Sequence, residues 1–446
     1  MRGFFTGVSA WVLFMVAATG TEAAVEPPVP VAHANASGAI AAQADAPLTM
    51  VESAQIATLD QPLLAERRAK IQAEDHQAIA AAQLPDPKLS GGLNELPIDT
   101  AEAFSTSRDN FTEFRIGVSQ DFPRAEKRRL QGARLQLDAE TDRAVLDNEQ
   151  RLVRRDSSLA WLDVYEAEQG LKLAQGLADE AALQVQVLEK DYGNGRSSQA
   201  DWFASKVDAG LAADKAHDWL HHVLRARAGL ARWIGAAAER PIAASLAMPA
   251  VSTPLPGLMA GADHHPVIGS VDKQIEAAAT DIAIARQSYK PDYSVEVYYA
   301  YRRDFADFVG IQVKVGLPYF TKDRQDRGLA AALAQSRASE ERKSDLLREL
   351  HAQLNQDYLD RRHYEERLDE FDDSILPDAV RRTEAARNAY RAGRGTFDAV
   401  LLARRGLLDV QLQRLAIAVE VARAQVRLDY WSAPSAPSPE SSGEAP

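Results

Sequence analysis

The chain has 446 residues and no cysteine, and its 64 Asp and Glu outnumber its 51 Lys and Arg. Without cysteine there is no disulfide framework, no thiolate metal site and no thiol nucleophile. No basic block exceeds Arg67-Arg68 or Lys127-Arg128-Arg129, so nucleic-acid binding has little support. No internal segment reaches about 18 uninterrupted apolar residues, which argues against membrane-spanning helices.

The two ends of the chain have compositions unlike the rest. Arg2 precedes an apolar stretch at 8–18, and small residues follow at 20–24, which is the order of a secretory signal peptide. We therefore expect a signal peptide over 1–24 and a flexible Ala- and Pro-rich leader over 25–47; a retained anchor helix is the alternative. The Ser-, Pro- and Glu-rich residues 432–446 predict a disordered tail.

Residues 48–245 form the first of two predicted repeats. Helical sequence stops near Pro85, and strands are expected at about 88–96 and 111–122, the second of which alternates apolar and polar residues. A helical hairpin is predicted over 124–234, with glycines at its turn. In its first helix, every seventh residue from 132 to 188 is small or apolar, which indicates coiled-coil packing.

Residues 265–431 repeat this order. Strands are expected at about 293–301 and 309–317, followed by a helical hairpin over 322–430 with a break at Pro377. Both hairpin turns read Tyr-x-x-Gly-Arg, and their glycines, 195 and 393, are 198 positions apart. A repeat of this length indicates an internal duplication rather than a solenoid of short modules.

The strands alternate as those of a transmembrane β-barrel do, with one lipid-facing and one lumen-facing side. Aromatic residues near the strand ends suit the interfacial girdles of such barrels. A soluble hairpin on a core would alternate identically, but no further β-sequence is present to complete a soluble sheet. The residues expected to face lipid are Phe114, Ile116, Val118, Phe122, Tyr293, Val295, Val297, Tyr299, Val309, Ile311, Val313 and Val315.

Four strands cannot close a membrane barrel, since the smallest bacterial examples have about eight. The chain is therefore expected to oligomerise. Two copies would supply about eight strands around a filled interior, and three would supply about twelve around an open lumen.

Several motifs resemble the TolC-like outer-membrane efflux proteins. They are the runs 84–89, 94–98, 115–123 and 232–235, together with the paired turns. Within that family the sequence is most similar to the heavy-metal branch, which serves cobalt–zinc–cadmium and copper–silver exporters. The resemblance spans residues 48–431 and rests on the duplicated order of these motifs.

The resemblance implies an α+β membrane protein of the bacterial cell outer membrane. The expected assembly is a homotrimer whose twelve-stranded β-barrel, four strands per chain, continues into a long α-helical coiled-coil tunnel in the periplasm. It also implies docking to a periplasmic adaptor (membrane fusion) protein and to a proton-driven inner-membrane pump of the RND type.

In the family, the hairpin turns form the periplasmic tip, where the adaptor binds and the pore constricts. The matching positions here are Tyr192, Gly195, Arg196, Tyr390, Gly393 and Arg394. Asp201 and Asp398, just after the turns, are expected to line the constriction. The alternative is a pair of solvated helix starts, where the helix dipole favours acidic residues.

Enzyme chemistry has no support, since there is no phosphate loop after a strand and no nucleophile elbow. His217 and His221 have helical ligand spacing but no third ligand, so neither a metal site nor a cofactor is expected. His264 and His265 are expected to be exposed in a linker.

The favoured function is a passive duct that exports heavy-metal cations within a tripartite efflux system. A duct for drug efflux or type I protein secretion is the nearer alternative. A periplasmic coiled-coil adaptor or scaffold is the other, and it would leave the strand pairs unexplained.

Overall fold

The computed structural model describes residues 46–59, 61–99, 101–246 and 254–432. The predicted signal peptide, all of the predicted leader except residues 46 and 47, and the tail beyond Ser432 lie outside these ranges. Residues from Pro47 onward form one unit, and Met1–Ala46 form another of which only Ala46 is described. The description below concerns the first of these units.

The order of elements occurs twice along the chain. The first half contains α1 (Met50–Leu59), α2 (Pro62–Ala81), β1 (Lys88–Asn94), β2 (Glu113–Phe122), α3 (Ala125–Gly193) and α4 (Gln199–Ile234). The second half contains α5 (Leu255–Ala262), α6 (Pro266–Gln287), β3 (Tyr293–Tyr301), β4 (Phe308–Val315), α7 (Gln325–Glu370), α8 (Leu376–Arg391) and α9 (Phe397–Trp431). Helix α5 was not predicted. It has the same place in the second half of the chain as α1 has in the first, so the predicted start of the second repeat, residue 265, lies after the first helix of that half.

The four strands form one antiparallel sheet in the order β1-β2-β3-β4. The central pair, β2 and β3, joins the two halves of the chain. β1 ends at Asn94 rather than near 96, because Glu95 has a left-handed φ of 54° and Pro97 follows. Among the described residues, β1 and β4 each pair with one neighbour only, which leaves both edges of the sheet unpaired.

Helix α3 has 69 residues, which corresponds to a length of about 100 Å. The predicted seam is confirmed, since seven of its nine residues at seven-residue intervals are buried, among them Ala139, Val153, Ala174 and Leu188, and the other two are partly buried. Alanine at these positions lets α4, α2 and α6 approach α3 closely. None of the helices in the described ranges combines the length and apolar character that a membrane crossing requires.

The predicted break at Pro377 takes the form of an interruption of the α-helical hydrogen bonding just before this residue, and the helical path from α7 to α8 continues through it. Five residues of π-helix, Phe371–Ile375, precede it, and the N–H of Leu376 donates to the carbonyl of Phe371. Proline lacks the N–H that an α-helical ladder would use. The wider turn accommodates this loss, and Asp372 within it accepts from Nη2 of Arg414 at 2.9 Å.

The start of the described chain is fixed to the middle of α3. The indole N–H of Trp161 donates to the carbonyl of Leu48 at 2.9 Å, and both residues are buried. Leu230 and Ile234 of α4 and Val419 of α9 complete this core. The cluster therefore holds the two halves of the chain together along the α3 helix.

The expectation that His265 is exposed is wrong, because 1% of its surface is accessible. Its Nδ1 accepts from the N–H of Val267 at 3.4 Å and caps α6, so Nε2 carries the proton and donates to the carbonyl of Tyr430 at 3.1 Å. The ring also packs edge-on against Tyr430. Trp431 next to it donates to buried Asp357 at 3.0 Å, which fixes the end of α9 to both α6 and α7.

This burial gives the fold a pH dependence. Desolvation, helped by the positive charge of Arg151, lowers the pKa of His265 to about 4, against about 6.5 in an unfolded chain. Between these values the unfolded chain binds more protons, so stability falls as the pH falls from about 6.5 towards about 4, by roughly 3 kcal/mol at most. Thermal unfolding of the purified protein across this window measures the effect.

His265→Asn is the matched control, because asparagine caps helices without titrating near neutral pH. The variant is expected to lose stability less steeply than the wild type over the same window. Equal slopes for the two proteins would contradict the assignment to His265.

Candidate functional site

The register places all of the predicted lipid-facing residues on one face of the sheet. Ile116 lies opposite Tyr299, and Tyr299 lies opposite Val309. Directly opposed residues of antiparallel strands point to the same side, so the apolar set forms one continuous surface. All of its members except Phe122 and Val295 are exposed in the single chain.

Three apolar residues of this face were not in the predicted lipid-facing set. Leu89 and Leu93 of β1 lie opposite Val118 and Phe114, and Tyr301 lies opposite Phe114 from the other side. The two glycines of β1 obscured its alternation. A search for leucines flanking the Gly91-Gly92 pair would have found both.

Aromatic pairs lie at both ends of the central strand pair. Phe122 stacks on Tyr293 with ring centroids 5.5 Å apart, and Phe114 contacts Tyr301 at 6.4 Å. The two pairs are separated by about 26 Å along the strand, or about 20 Å in height at the tilt of membrane barrels. This spacing resembles that of two aromatic girdles around an apolar band of about 25 Å.

The opposite face of the sheet is polar and most of its charges are paired. Glu296 lies 3.2 Å from Arg115 and 3.6 Å from Lys314, and Lys88 lies 2.7 Å from Asp121. The Arg115 guanidinium also lies 3.3 Å from the ring centroid of Tyr298. The sheet therefore separates an exposed apolar side from a charged, hydrogen-bonded side.

The two Tyr-x-x-Gly-Arg turns have the same geometry. The glycines have left-handed φ values of 71° at Gly195 and 68° at Gly393. The N–H of Arg196 donates to the carbonyl of Asp191 at 2.7 Å, and that of Gly195 to Tyr192 at 3.0 Å. This is a Schellman cap, which explains the motif: the glycine is required by its backbone conformation.

The second turn repeats the same two bonds. The N–H of Arg394 donates to Ala389 and that of Gly393 to Tyr390, both at 2.9 Å. The N-caps that follow, Ser198 and Thr396, are again 198 positions apart. The duplication therefore extends through the start of the next helix.

Asp201 and Asp398 are not equivalent in this register. Asp201 is the third residue of α4 and forms a capping box, in which its N–H donates to the Ser198 hydroxyl at 3.0 Å and its carboxylate accepts from the Ser198 N–H at 3.4 Å. Asp398 is the second residue of α9 and is exposed. Asp201 therefore has the helix-start environment that was the alternative to a pore-lining role, although the two roles are compatible.

The two turns pack against each other at what we term the helix tip, residues 188–204 and 390–401. Leu188, Phe397 and Leu401 are buried there, with Trp202 and Tyr390 packed around them. Tyr192 stacks on Trp202 with centroids 5.7 Å apart. Burial, and then the charges of Asp201 and Asp191, raise the pKa of Tyr390, which places acidic groups of the first turn beside the second.

Ion pairs connect the two hairpins behind the tip. Arg387 of α8 and Arg404 of α9 both bind one oxygen of Glu180, at 3.1 and 2.9 Å. Arg405 binds Asp208, a buried residue of α4, at 2.6 Å. Sequence alone did not predict these pairs, because the rotation of each helix about its axis decides which charges meet.

The remaining tip residues face solvent in the single chain. Arg196, Arg394 and Asp398 are exposed, and none of them forms an ion pair within the part of the chain that the structure describes. Three of the predicted site residues at the helix tip, two arginines and one carboxylate, therefore have no ion-pair partner among the described residues.

The histidines of α4 do not form a metal centre in the structure. His217, His221 and His222 are exposed, and His222 lies 3.7 Å from Asp218. Across the described ranges, no group of three potential metal-ligating side chains is close enough to hold an ion.

Several solved structures of channel proteins share this fold. CusC, solved in a study of transmembrane channel formation, superposes with a TM-score of 0.74 at 15% identity, over 87% of this chain and 93% of CusC. The CmeC outer membrane channel of Campylobacter jejuni gives 0.72 at 12% identity, over 86% of this chain and 85% of CmeC. The open MtrE outer membrane channel of Neisseria gonorrhoeae gives 0.65 at 15% identity, over 86% and 88%.

These similarities establish the fold of the chain. Neither a protein-family model nor a curated protein sequence matches it. The expected single-chain architecture, four strands joined to long helical hairpins, is confirmed. The trimer, the closed barrel and the heavy-metal branch remain predictions.

The backbone of the turns gives a direct prediction. Gly195→Ala forces a side chain into a left-handed conformation, which costs about 1–2 kcal/mol, and Gly393→Ala is expected to do the same. Thermal unfolding and cleavage at the turn by an added protease measure the loss.

Gly193→Ala is the matched control, since Gly193 is the last residue of α3, has no positive φ and has open space around its Cα. Alanine there favours the helix. If Gly193→Ala were as destabilising as Gly195→Ala, the Schellman explanation of the motif would be wrong.

Proposed function

We propose that this chain is one subunit of a trimeric outer-membrane channel that acts as a passive duct for efflux. The observation that carries the proposal is the sheet, with its exposed apolar face, charged opposite face and two unpaired edges. Joining β1 of one copy to β4 of the next would satisfy the edges, as membrane barrels require. Three copies would supply the twelve strands expected from the resemblance, with apolar residues towards lipid.

The helices would then form the periplasmic part of the same channel. The fold similarity to outer-membrane channels supports this location, and the apolar seams supply close packing for a tube of hairpins. The helix tip would contact a periplasmic adaptor and, through it, an inner-membrane RND pump. No chemistry is assigned to the subunit itself, since energy would come from the pump.

Heavy-metal cations are the proposed substrates on the strength of the sequence motifs alone. The fold favours no particular solute, and drug efflux or protein secretion would use the same architecture. A coiled-coil adaptor or scaffold is the weaker candidate, because it would have no use for a sheet with an exposed apolar face.

A charge on the apolar face tests the membrane location. Ile311 is 72% exposed in the single chain, so an arginine there would be harmless if water covered this face. If lipid covers it, Ile311→Arg is expected to cost about 2–4 kcal/mol near the bilayer midplane. The yield of folded protein in isolated outer membranes is expected to fall.

Gln312→Arg is the matched control, because Gln312 is the next residue of β4 and lies on the polar face opposite Glu296. It is expected to leave the membrane yield unchanged. Equal yields for both variants would argue that the apolar face does not contact lipid.

The acidic tip residues are proposed to line the constriction. Asp398→Asn and Asp201→Asn, both of which remain compatible with a helix start, are expected to lower the preference for cations by removing negative charge near the pore. Reversal potentials in planar bilayers measure this. Asp109→Asn in the β1–β2 loop, at the other end of the strands, is the control. Unchanged ion selectivity in both tip variants would show that Asp201 and Asp398 do not line the pore.

A further inference from the structure

A cavity of about 660 Å³ lies between the two hairpins behind the helix tip. Its walls are residues 165–180 of α3, Leu376 to Arg387 of α8 and residues 404–415 of α9. The volume falls within the range of about 300–1,000 Å³ that small-molecule sites occupy. The π-helical turn at Phe371–Ile375 directly precedes the α8 wall.

The charges around this cavity do not balance. Lys172, Arg387, Arg404 and Arg414 line it, and Glu180 is the one acidic residue among the lining residues. Arg414 is paired with Asp372 outside the lining, so four cations face two carboxylates and two positive charges remain. Lys172 is exposed and has no ion pair among the described residues.

The arginines also have unused donors. Arg387 and Arg404 share one oxygen of Glu180, and the buried Nε of each has no hydrogen-bond partner. Arg404 is 9% exposed. These two Nε atoms are inaccessible to solvent, so an anion in the cavity would be attracted by the unbalanced positive charge of the lining rather than by hydrogen bonds to them.

Leucines form most of the apolar part of the wall, beside the uncharged polar residues Gln169, Thr383 and Gln411. Leu173 and Leu177 of α3 face Leu376 of α8 and Leu407 and Leu415 of α9 across the cavity. An inorganic anion would neutralise basic groups but would leave these leucine side chains uncovered. A ligand with an acidic head and an aliphatic body would match both parts of the wall.

We propose that this cavity binds an anionic amphiphile, with a carboxylate at Arg387, Arg404 and Lys172 and an aliphatic chain along the leucines. The site lies in the helical part of the chain and does not depend on the channel function proposed above. Binding can therefore be measured whether or not the protein conducts.

Calorimetric titration of the full-length protein in lipid nanodiscs with decanoate, below its micelle concentration, tests the proposal. One molecule is expected to bind per chain. Lys172→Gln is expected to weaken binding about tenfold, equivalent to about 1.4 kcal/mol. Gly176→Leu is expected to abolish it, because Gly176 lines the cavity with open space where the side chain would extend.

The controls use residues of α4 outside the cavity. Gly210 also has open space around it, and Lys215 is exposed, so Gly210→Leu and Lys215→Gln are expected to bind decanoate like the wild type. Leucine has a higher helix propensity than glycine. The circular dichroism spectra of both leucine variants are therefore expected to show the helical content of the wild type.

Unchanged decanoate affinity in a folded Gly176→Leu variant would overturn the proposal, because the ligand would then not occupy the cavity. Equal binding of the uncharged decyl maltoside would overturn it by showing that the anionic head is not needed. Equal binding of inorganic phosphate would overturn it by showing that the aliphatic chain is not needed. Absence of any decanoate binding to the wild type would overturn it as well.

Discussion

Within the described residues, both edges of the four-stranded sheet are unpaired, and this constrains how the chain can assemble. An exposed edge strand presents a row of free backbone donors and acceptors, and here two such edges flank a surface of exposed aliphatic and aromatic residues. Pairing β1 with β4 of another copy would satisfy the backbone donors and acceptors of both edges at once. Lipid would cover the exposed apolar face.

The pairing of β2 with β3 connects this constraint to the helices. These strands come from different halves of the chain, so the duplicated units share one sheet before their helices diverge. The helices meet again at the Trp161 core, at the end of α9 and at the helix tip. The two hairpins are thus fixed to each other at several points between the sheet and the helix tip. This arrangement suits side-by-side packing with the hairpins of other subunits.

Much of this architecture was predictable where a local physical rule determines it. The alternation in 293–301 predicted β3 with its observed bounds, and the Tyr-x-x-Gly-Arg pattern located both turns because a left-handed residue there requires glycine. The seven-residue seam predicted which side of α3 is buried. In each case, neighbours in sequence or a fixed helical period carry the information.

Other features depend on contacts between distant residues. His265 looked like an exposed linker residue, yet the end of α9 covers it and the Tyr430 carbonyl accepts a hydrogen bond from its Nε2. Pro377 looked like a break, yet the π-helical turn before it keeps the helix continuous. The basic cavity combines α3, α8 and α9, and its charge excess appears only once Glu180 and Asp372 are assigned to their partners.

We propose that the chain functions only as an oligomer in the outer membrane. Gel migration of the isolated outer-membrane fraction, with and without boiling, measures this property. A species near three times the 48.7 kDa mass of the single chain is expected without boiling, and boiling is expected to convert it to the monomer. A monomeric protein found in the periplasm alone would contradict it.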